Sequence, residues 1–365
     1  MIDSIITFLK SYPLLIDALR VIVAMILAII FILINALIFI YVERKVWART
    51  MQRMGPTYVG KWGILQLIAD FVKVLNKEII VPAKANRIAF LSMPVFITGV
   101  SLLLIIIMPY DYVVANTLLI FEPFISWFGL FKYAIVSQYF QVGVLLIFVI
   151  LSFNPIFILL TGWISNNKYS VIGGFRAAAQ LLSFEIPFLL SVAAVVVLTG
   201  TLNLYEIVER QKNMWLIFLA PLTFILFLIT AIAEAERTPF DIPDAESEII
   251  AGWNTEYSAS PFLLLIMGMY VRAFVSATLL AIFFFGGWLG PTLPGILAPM
   301  SGPLWLMIKT YFFMVLYILI RAAFPRYRID QLLNLSWTKL LPLSIANLLI
   351  VIVLKYYLVS IGFMS

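Results

Sequence analysis

The sequence predicts an all-α polytopic membrane protein with about eight transmembrane helices and one amphipathic helix at the cytoplasmic interface. Three observations predict it. At 64% hydrophobic and 12% charged residues, with mean hydropathy +1.08, the chain lacks the polar residues that a water-soluble domain needs for its surface. Its apolar segments run about twenty residues or more, enough for a helix to cross a hydrocarbon core roughly 30 Å thick. Its basic residues gather in alternate loops.

Spans are expected at roughly 15–41, 88–108, 140–163, 173–199, 214–234, 261–287, 303–323 and 340–362. The stretch from Ile16 to Tyr41 is too long for a signal-peptide core and has no small-residue cleavage site, so it is expected to be the first span. Segment 116–131, "NTLLIFEPFISWFGLF", is interrupted by Glu122 and Pro123 and reads as an interfacial or short re-entrant piece. Loops after the odd-numbered spans hold 16 of the 24 lysines and arginines, which places those loops in the cytoplasm and both termini outside. The chain, 1–365, then forms a single membrane domain with a first cytoplasmic loop at 42–87 and an acidic cytoplasmic loop at 235–260. Within the first loop, "WGILQLIADFVKVLNKE" (62–78) spaces Ile64, Leu67, Ile68, Phe71, Val72 and Leu75 along one helical face, with Asp70, Lys73 and Lys77 elsewhere. Periodicity alone allows a simple surface anchor as well as a functional element.

Cysteine and histidine are absent, which excludes disulfides, thiolate and imidazole metal ligands and cysteine-held iron–sulfur clusters on this chain. Proton chemistry falls to Asp, Glu, Lys, Arg, Tyr or water. The basic residues follow membrane boundaries without a recognition fold, so no nucleic-acid partner is expected.

Against this apolar background, "AEAERTPFDIPDAESEIIAG" (233–252) carries Glu234, Glu236, Asp241, Asp244, Glu246 and Glu248. Glu234 and Glu236 fall at the C-terminal end of a span, where the helix macrodipole disfavours an exposed anion by about 0.3–1 kcal/mol, so helix stability does not explain them. Pro239 and Pro243 break any helical continuation. Irregular backbone this close to the membrane requires protein packing or a polar cavity around it. Burial and mutual repulsion would bring such carboxylates toward neutral titration. An acidic loop simply paired with neighbouring arginines and lysines is the other reading. Glu185 lies inside the fourth span, where an ionisable group is a functional candidate unless one basic partner satisfies it. Arg272, near mid-span, joins it, whereas Lys309 is close enough to a span end to snorkel.

Five blocks carry a resemblance: "ERKVWARTMQRMGPTYVGKWGILQLIADFVKVLNKE" (43–78), "GWISNNKYSVIGGFRAAAQLLSFEIP" (162–187), "ERTPFDIPDAESEIIAGWNTEYS" (236–258), "FFGGWLGP" (284–291) and "RAAFPRYRIDQLLNLSWTKLLPLS" (321–344). In order and over nearly the whole chain, they resemble the membrane subunit at the quinone-binding end of respiratory complex I. The resemblance implies an oxidoreductase subunit that is not catalytic in isolation. It sits beneath a cluster-bearing soluble arm and beside small membrane subunits and antiporter-like subunits. No cofactor is expected on this chain: a quinone or phenazine-type acceptor would be the substrate, and electrons would come from an iron–sulfur cluster in a partner. By motif position, Glu43, Arg44 and Arg53 would line the acceptor chamber. Glu185, Glu234, Asp244, Glu246, Glu248 and Glu256, with Arg272, would begin the proton path. A prokaryotic cell membrane is implied, with the mitochondrial inner membrane as the alternative.

The chain departs from the family where Met269-Tyr270 replaces the usual Glu-Tyr, where "RTMQRMGP" replaces "RMQLRPGP", and at Ile242-Pro243-Asp244. These leave ubiquinone, menaquinone and a phenazine open as acceptors. Two other functions remain: the related subunit of a membrane-bound energy-converting hydrogenase, and, from another class, a secondary ion transporter.

Overall fold

The computed structural model describes residues 13–110, 113, 140–243, 249–294, 298 and 300–360. Helices occupy all eight expected places, and no strand occurs among the described residues. The first, α1 (Pro13–Thr50), runs for 38 residues. It is followed by α2 (Gln66–Leu75), α3 (Arg87–Ile107), the consecutive pair α4 (Gly143–Leu151) and α5 (Phe153–Ile164), and α6 (Lys168–Thr199). Two short helices, α7 (Leu204–Glu209) and α8 (Leu216–Leu219), lead into α9 (Pro221–Glu234). Next come α10 (Ala259–Phe284), α11 (Ser301–Ala323), the short α12 (Ile329–Asn334), a π-helical stretch at Leu335–Leu340 and α13 (Leu341–Ser360). Among the described residues, six segments are long and apolar enough to cross a membrane: 87–105, 143–164, 168–199, 259–284, 301–323 and 329–360. At 14 residues α9 falls short of a full crossing. The expected interfacial piece at 116–131 lies outside the described residues.

α6 and α10 form the centre of the bundle, with α5, α9 and α13 packed around α6, and α1, α3 and α11 around α10. Both central helices are extensively buried. Start signals are local: Asn86 accepts from the Ile88 and Ala89 amides to cap α3, and Asn167 accepts from the Tyr169 amide to cap α6.

Prolines inside spans leave carbonyls without their helical donor, and hydroxyls from distant elements replace it. Pro187 in α6 cannot donate to the Ser183 carbonyl, and the Ser336 hydroxyl does so at 2.5 Å. Pro94 in α3 frees the Phe90 carbonyl, to which the Tyr257 hydroxyl donates at 3.3 Å while its ring stacks on Phe90 at 4.1 Å. The α4–α5 break at Ser152 has a different use, because the Ser152 hydroxyl donates to the Glu185 carboxylate on α6.

The amphipathic helix is shorter than the expected 62–78. Trp62 has φ +63° and stands between Gly60 and Gly63, also at positive φ, so the chain turns before the helix starts at Gln66. No residue of α2 is buried; Ile68 and Leu75 remain open along its apolar side, as an interfacial helix requires.

Candidate functional site

Two cavities lie near the C-terminal end of α1, the second lined by it and the first joined to it through Glu43. The first, about 260 Å³, is lined by residues that include Glu236, Arg237, Asp241, Met269, Tyr270 and Arg321. The second, about 370 Å³, is lined by residues that include Arg44, Trp47, Arg53, Pro56 and Gln66. Both are made where helices end, because loop backbone there brings charged side chains inward without adding them to a lipid-facing surface.

The backbone of the acidic loop explains the first cavity. Every residue from Ala231 to Pro243 is buried. Phe240 anchors the loop in the core, with ring centroids 5.2 Å from Phe184 and 5.9 Å from Tyr327, and the Tyr327 amide donates to the Pro239 carbonyl. Gly252, at φ +55°, closes the loop's far end: a Cβ there would stand 1.6 Å from the Pro243 carbonyl oxygen. Gly173 allows that end to dock on α6, since a Cβ would stand 2.6 Å from the Trp253 nitrogen.

Charges around the cavity are paired across elements. Glu43 accepts from Arg237 Nη1 at 3.0 and 3.2 Å and from Arg321 Nη1, so one carboxylate on α1 ties the acidic loop to the end of α11. The Arg237 guanidinium also lies 4.3 Å from the Tyr270 ring centroid and 5.5 Å from that of Phe39. Glu236, at φ +50°, accepts from Arg272 Nη2 at 2.9 Å, and both side chains are almost completely buried. Arg326 donates to Asp241 at 3.2 Å.

These pairs do not cancel the cost of burial. Burial pushes the Glu236 carboxyl up, and the charge and hydrogen bond of Arg272 only partly oppose it. Burial likewise raises Asp241 against the pull of Arg326, Arg321 and Arg237. Among the described residues, Glu236 Oε1, Arg237 Nε and Nη2, and Arg272 Nε and Nη1 are buried without a hydrogen-bond partner. Unused acceptor and donor capacity therefore collects at one cavity, on Glu236 and Arg237 in its lining and on Arg272 behind Glu236. Glu234 is buried at the end of α9 and interacts electrostatically with Arg272, Glu185 and Glu236. Chemically, the arrangement can hold and exchange protons among carboxylates while fixed guanidinium groups set their relative affinities.

The predicted residues separate into several places. Glu43 lines neither cavity but holds Arg237 and Arg321 of the first, and Glu234, Arg272 and Glu185 extend from there along α9, α10 and α6. Arg44 instead pairs at 2.5 Å with Asp70 and ties α1 to α2. Burial alone would raise the Asp70 carboxyl, but hydrogen bonds from Arg44 and Gln66 hold it below its usual value. Arg53 lines the second cavity with its guanidinium 5.3 Å from the Trp47 ring. Glu256 stands apart, accepting from Asn167 at 2.5 Å near the start of α6. Asp244, Glu246 and Glu248 lie outside the described residues. Lys309 does not snorkel. It is buried and donates to the Phe285, Gly287 and Leu289 carbonyls at 2.7, 2.9 and 2.7 Å, fixing the loop that begins with the FFGG run. Sequence reasoning missed Glu236, Arg237, Tyr270 and Arg321 as site residues. The available signal was the place of Glu236, Arg237 and Arg321 inside the quoted blocks, and of Tyr270 in the Met269-Tyr270 departure. Among the described residues, no group of three or more acidic side chains is placed to hold a metal ion.

A profile described as NADH dehydrogenase matches residues 23–352. The chain belongs to the NADH dehydrogenase family. Within this NADH dehydrogenase family, an NADH-quinone oxidoreductase subunit of Rhodospirillum centenum is 38% identical over 328 residues, covering 89% of this chain and 91% of that protein. The protein of the same name from Bacillus cytotoxicus is 39% identical over 317 residues, covering 87% of this chain and 88% of that one. Its Bacillus thuringiensis counterpart is 38% identical over the same length and coverage. The matched region of this family member contains both cavities and every paired charge described above.

Proposed function

We propose that this chain is the membrane subunit of a complex I-type NADH-quinone oxidoreductase, forming the acceptor chamber and the start of its proton path. The observation that carries the reading is the charge chain at the end of α1. Arg321 and Arg237 share Glu43, and the buried Glu236–Arg272 pair follows at the same cavity. Reducing a quinone-type acceptor consumes electrons and protons together. Arg53 and Arg44 at the second cavity offer positive charge to the reduced, anionic acceptor. Negative charge arriving there alters the balance on Arg321, hence on Glu43 and Arg237, and changes the proton affinity of Glu236 and Glu234. Glu185, with the acidic residues Asp244, Glu246, Glu248 and Glu256, extends the path. The names of the relatives support a quinone acceptor over hydrogen chemistry and over an independent transporter.

The electron donor to the acceptor is a cluster in a partner subunit of the soluble arm, and antiporter-like subunits continue the proton path. The assembly resides in a prokaryotic cell membrane with the basic loops in the cytoplasm and both termini outside. Deleting the chain tests the reading. Quinone reduction in membranes should disappear while dye reduction by the detached soluble arm persists; retained quinone reduction would reject it.

A further inference from the structure

Trp47 lies one helical turn beyond Glu43 on α1, where side chains four apart share a face. Its ring is engaged by two guanidinium groups, with Arg53 at 5.3 Å and Arg321 at 4.7 Å from the centroid. Those arginines serve different cavities. Arg53 lines the second together with Trp47 itself, and Arg321 lines the first and holds Glu43. The indole nitrogen is buried and, among the described residues, has no hydrogen-bond partner.

From this geometry we infer that Trp47 is the shared wall between the acceptor chamber and the acidic cavity, and a specificity-determining residue for the acceptor headgroup. This rests on the chamber reading above. An indole is large, rigid and apolar along its rim, so it limits how far a flat aromatic headgroup advances toward Arg321. Its face is electron-rich, so it draws both guanidinium groups to the wall, Arg53 on the chamber side and Arg321 beside Glu43. The wall therefore reads headgroup size, while Arg321 behind it conveys the resulting charge to Glu43.

The test uses the whole complex in its membrane with two short-tailed acceptors, a benzoquinone and the bulkier naphthoquinone. Trp47→Leu removes the π face and the N–H; Trp47→Phe keeps a π face. The ratio of kcat/KM for the two acceptors should change about fivefold or more in the leucine variant, and by less in the phenylalanine variant, as expected for loss of a desolvated cation–π wall. Dye reduction retained in the washed membrane fraction reports assembly, because a detached soluble arm is washed away. An unchanged ratio in assembled Trp47→Leu complex overturns the inference. If Arg53→Gln raises acceptor KM while Trp47→Leu leaves the ratio alone, the chamber stands and the wall falls. If neither variant changes any acceptor constant, both fall. Should the leucine variant not assemble, photolabelling the wild-type complex with an azidoquinone decides: label on a peptide containing Trp47 supports the wall, and label only elsewhere overturns it.

Discussion

Removing the Glu43 carboxylate would strand two guanidinium groups in a place where water reaches them poorly. Glu43→Ala is expected to cost about 3 kcal/mol, the lower end for breaking a buried ion pair, because Arg321 is partly exposed. Thermal melting of the solubilised complex measures it, and Glu43→Gln, which keeps the shape, should lose less. Arg272 makes a prediction about pH. Burial raises Glu236 and Arg272 opposes the rise, so removing the cation must raise it further and keep the carboxyl protonated to higher pH. In Arg272→Gln the acidic limb of the pH–rate profile for quinone reduction should therefore move upward, while Arg272→Lys should leave it close to wild type. Superimposable profiles for the glutamine variant would contradict the assignment. At this scale the sequence singled out charge that stood alone among apolar residues, as with Glu185 and Arg272. It was unreadable where charge sat in a loop already crowded with charge: Glu236 and Arg237 look ordinary until their partners, Arg272 and Glu43, arrive from other helices.

The helices themselves follow from the length of apolar runs, since in a bilayer a chain must satisfy its own backbone and a helix does so locally. Their ends and faults depend on neighbours. The start of α2 shifted because Trp62 and its flanking glycines turn the chain, a conformation that hydrophobic spacing does not report. Pro94 and Pro187 were visible as faults, but their repair by Tyr257 and Ser336 was not, because those hydroxyls lie 167 and 153 residues away. Ser336→Ala should leave the Ser183 carbonyl without its replacement donor and lower stability by about 1–3 kcal/mol. Differential scanning calorimetry of the complex would show it, and Ser336→Thr should restore most of the loss. The serine at the α4–α5 break acts differently, since the Ser152 hydroxyl donates to the Glu185 carboxylate rather than to a backbone carbonyl.

Across the whole molecule, the two central helices carry ionisable groups inside the bundle, a buried Arg272 on α10 and a half-buried Glu185 on α6, and the other helices pack around them. Composition and the length of the apolar runs made the helical architecture legible, and the ordered blocks made the family legible. Neither could place the cavities near the end of α1, because cavities arise from what the helices leave unfilled. In the function proposed above, protons consumed at the acceptor are matched by charge moving through Glu236, Glu234 and Glu185. The decisive quantity is the membrane potential built per quinone reduced, in sealed vesicles carrying the intact complex with Glu234→Gln and Glu236→Gln together. Potential per turnover should collapse, with any residual quinone reduction uncoupled from it; an undiminished potential at normal turnover would show that charge moves by another route.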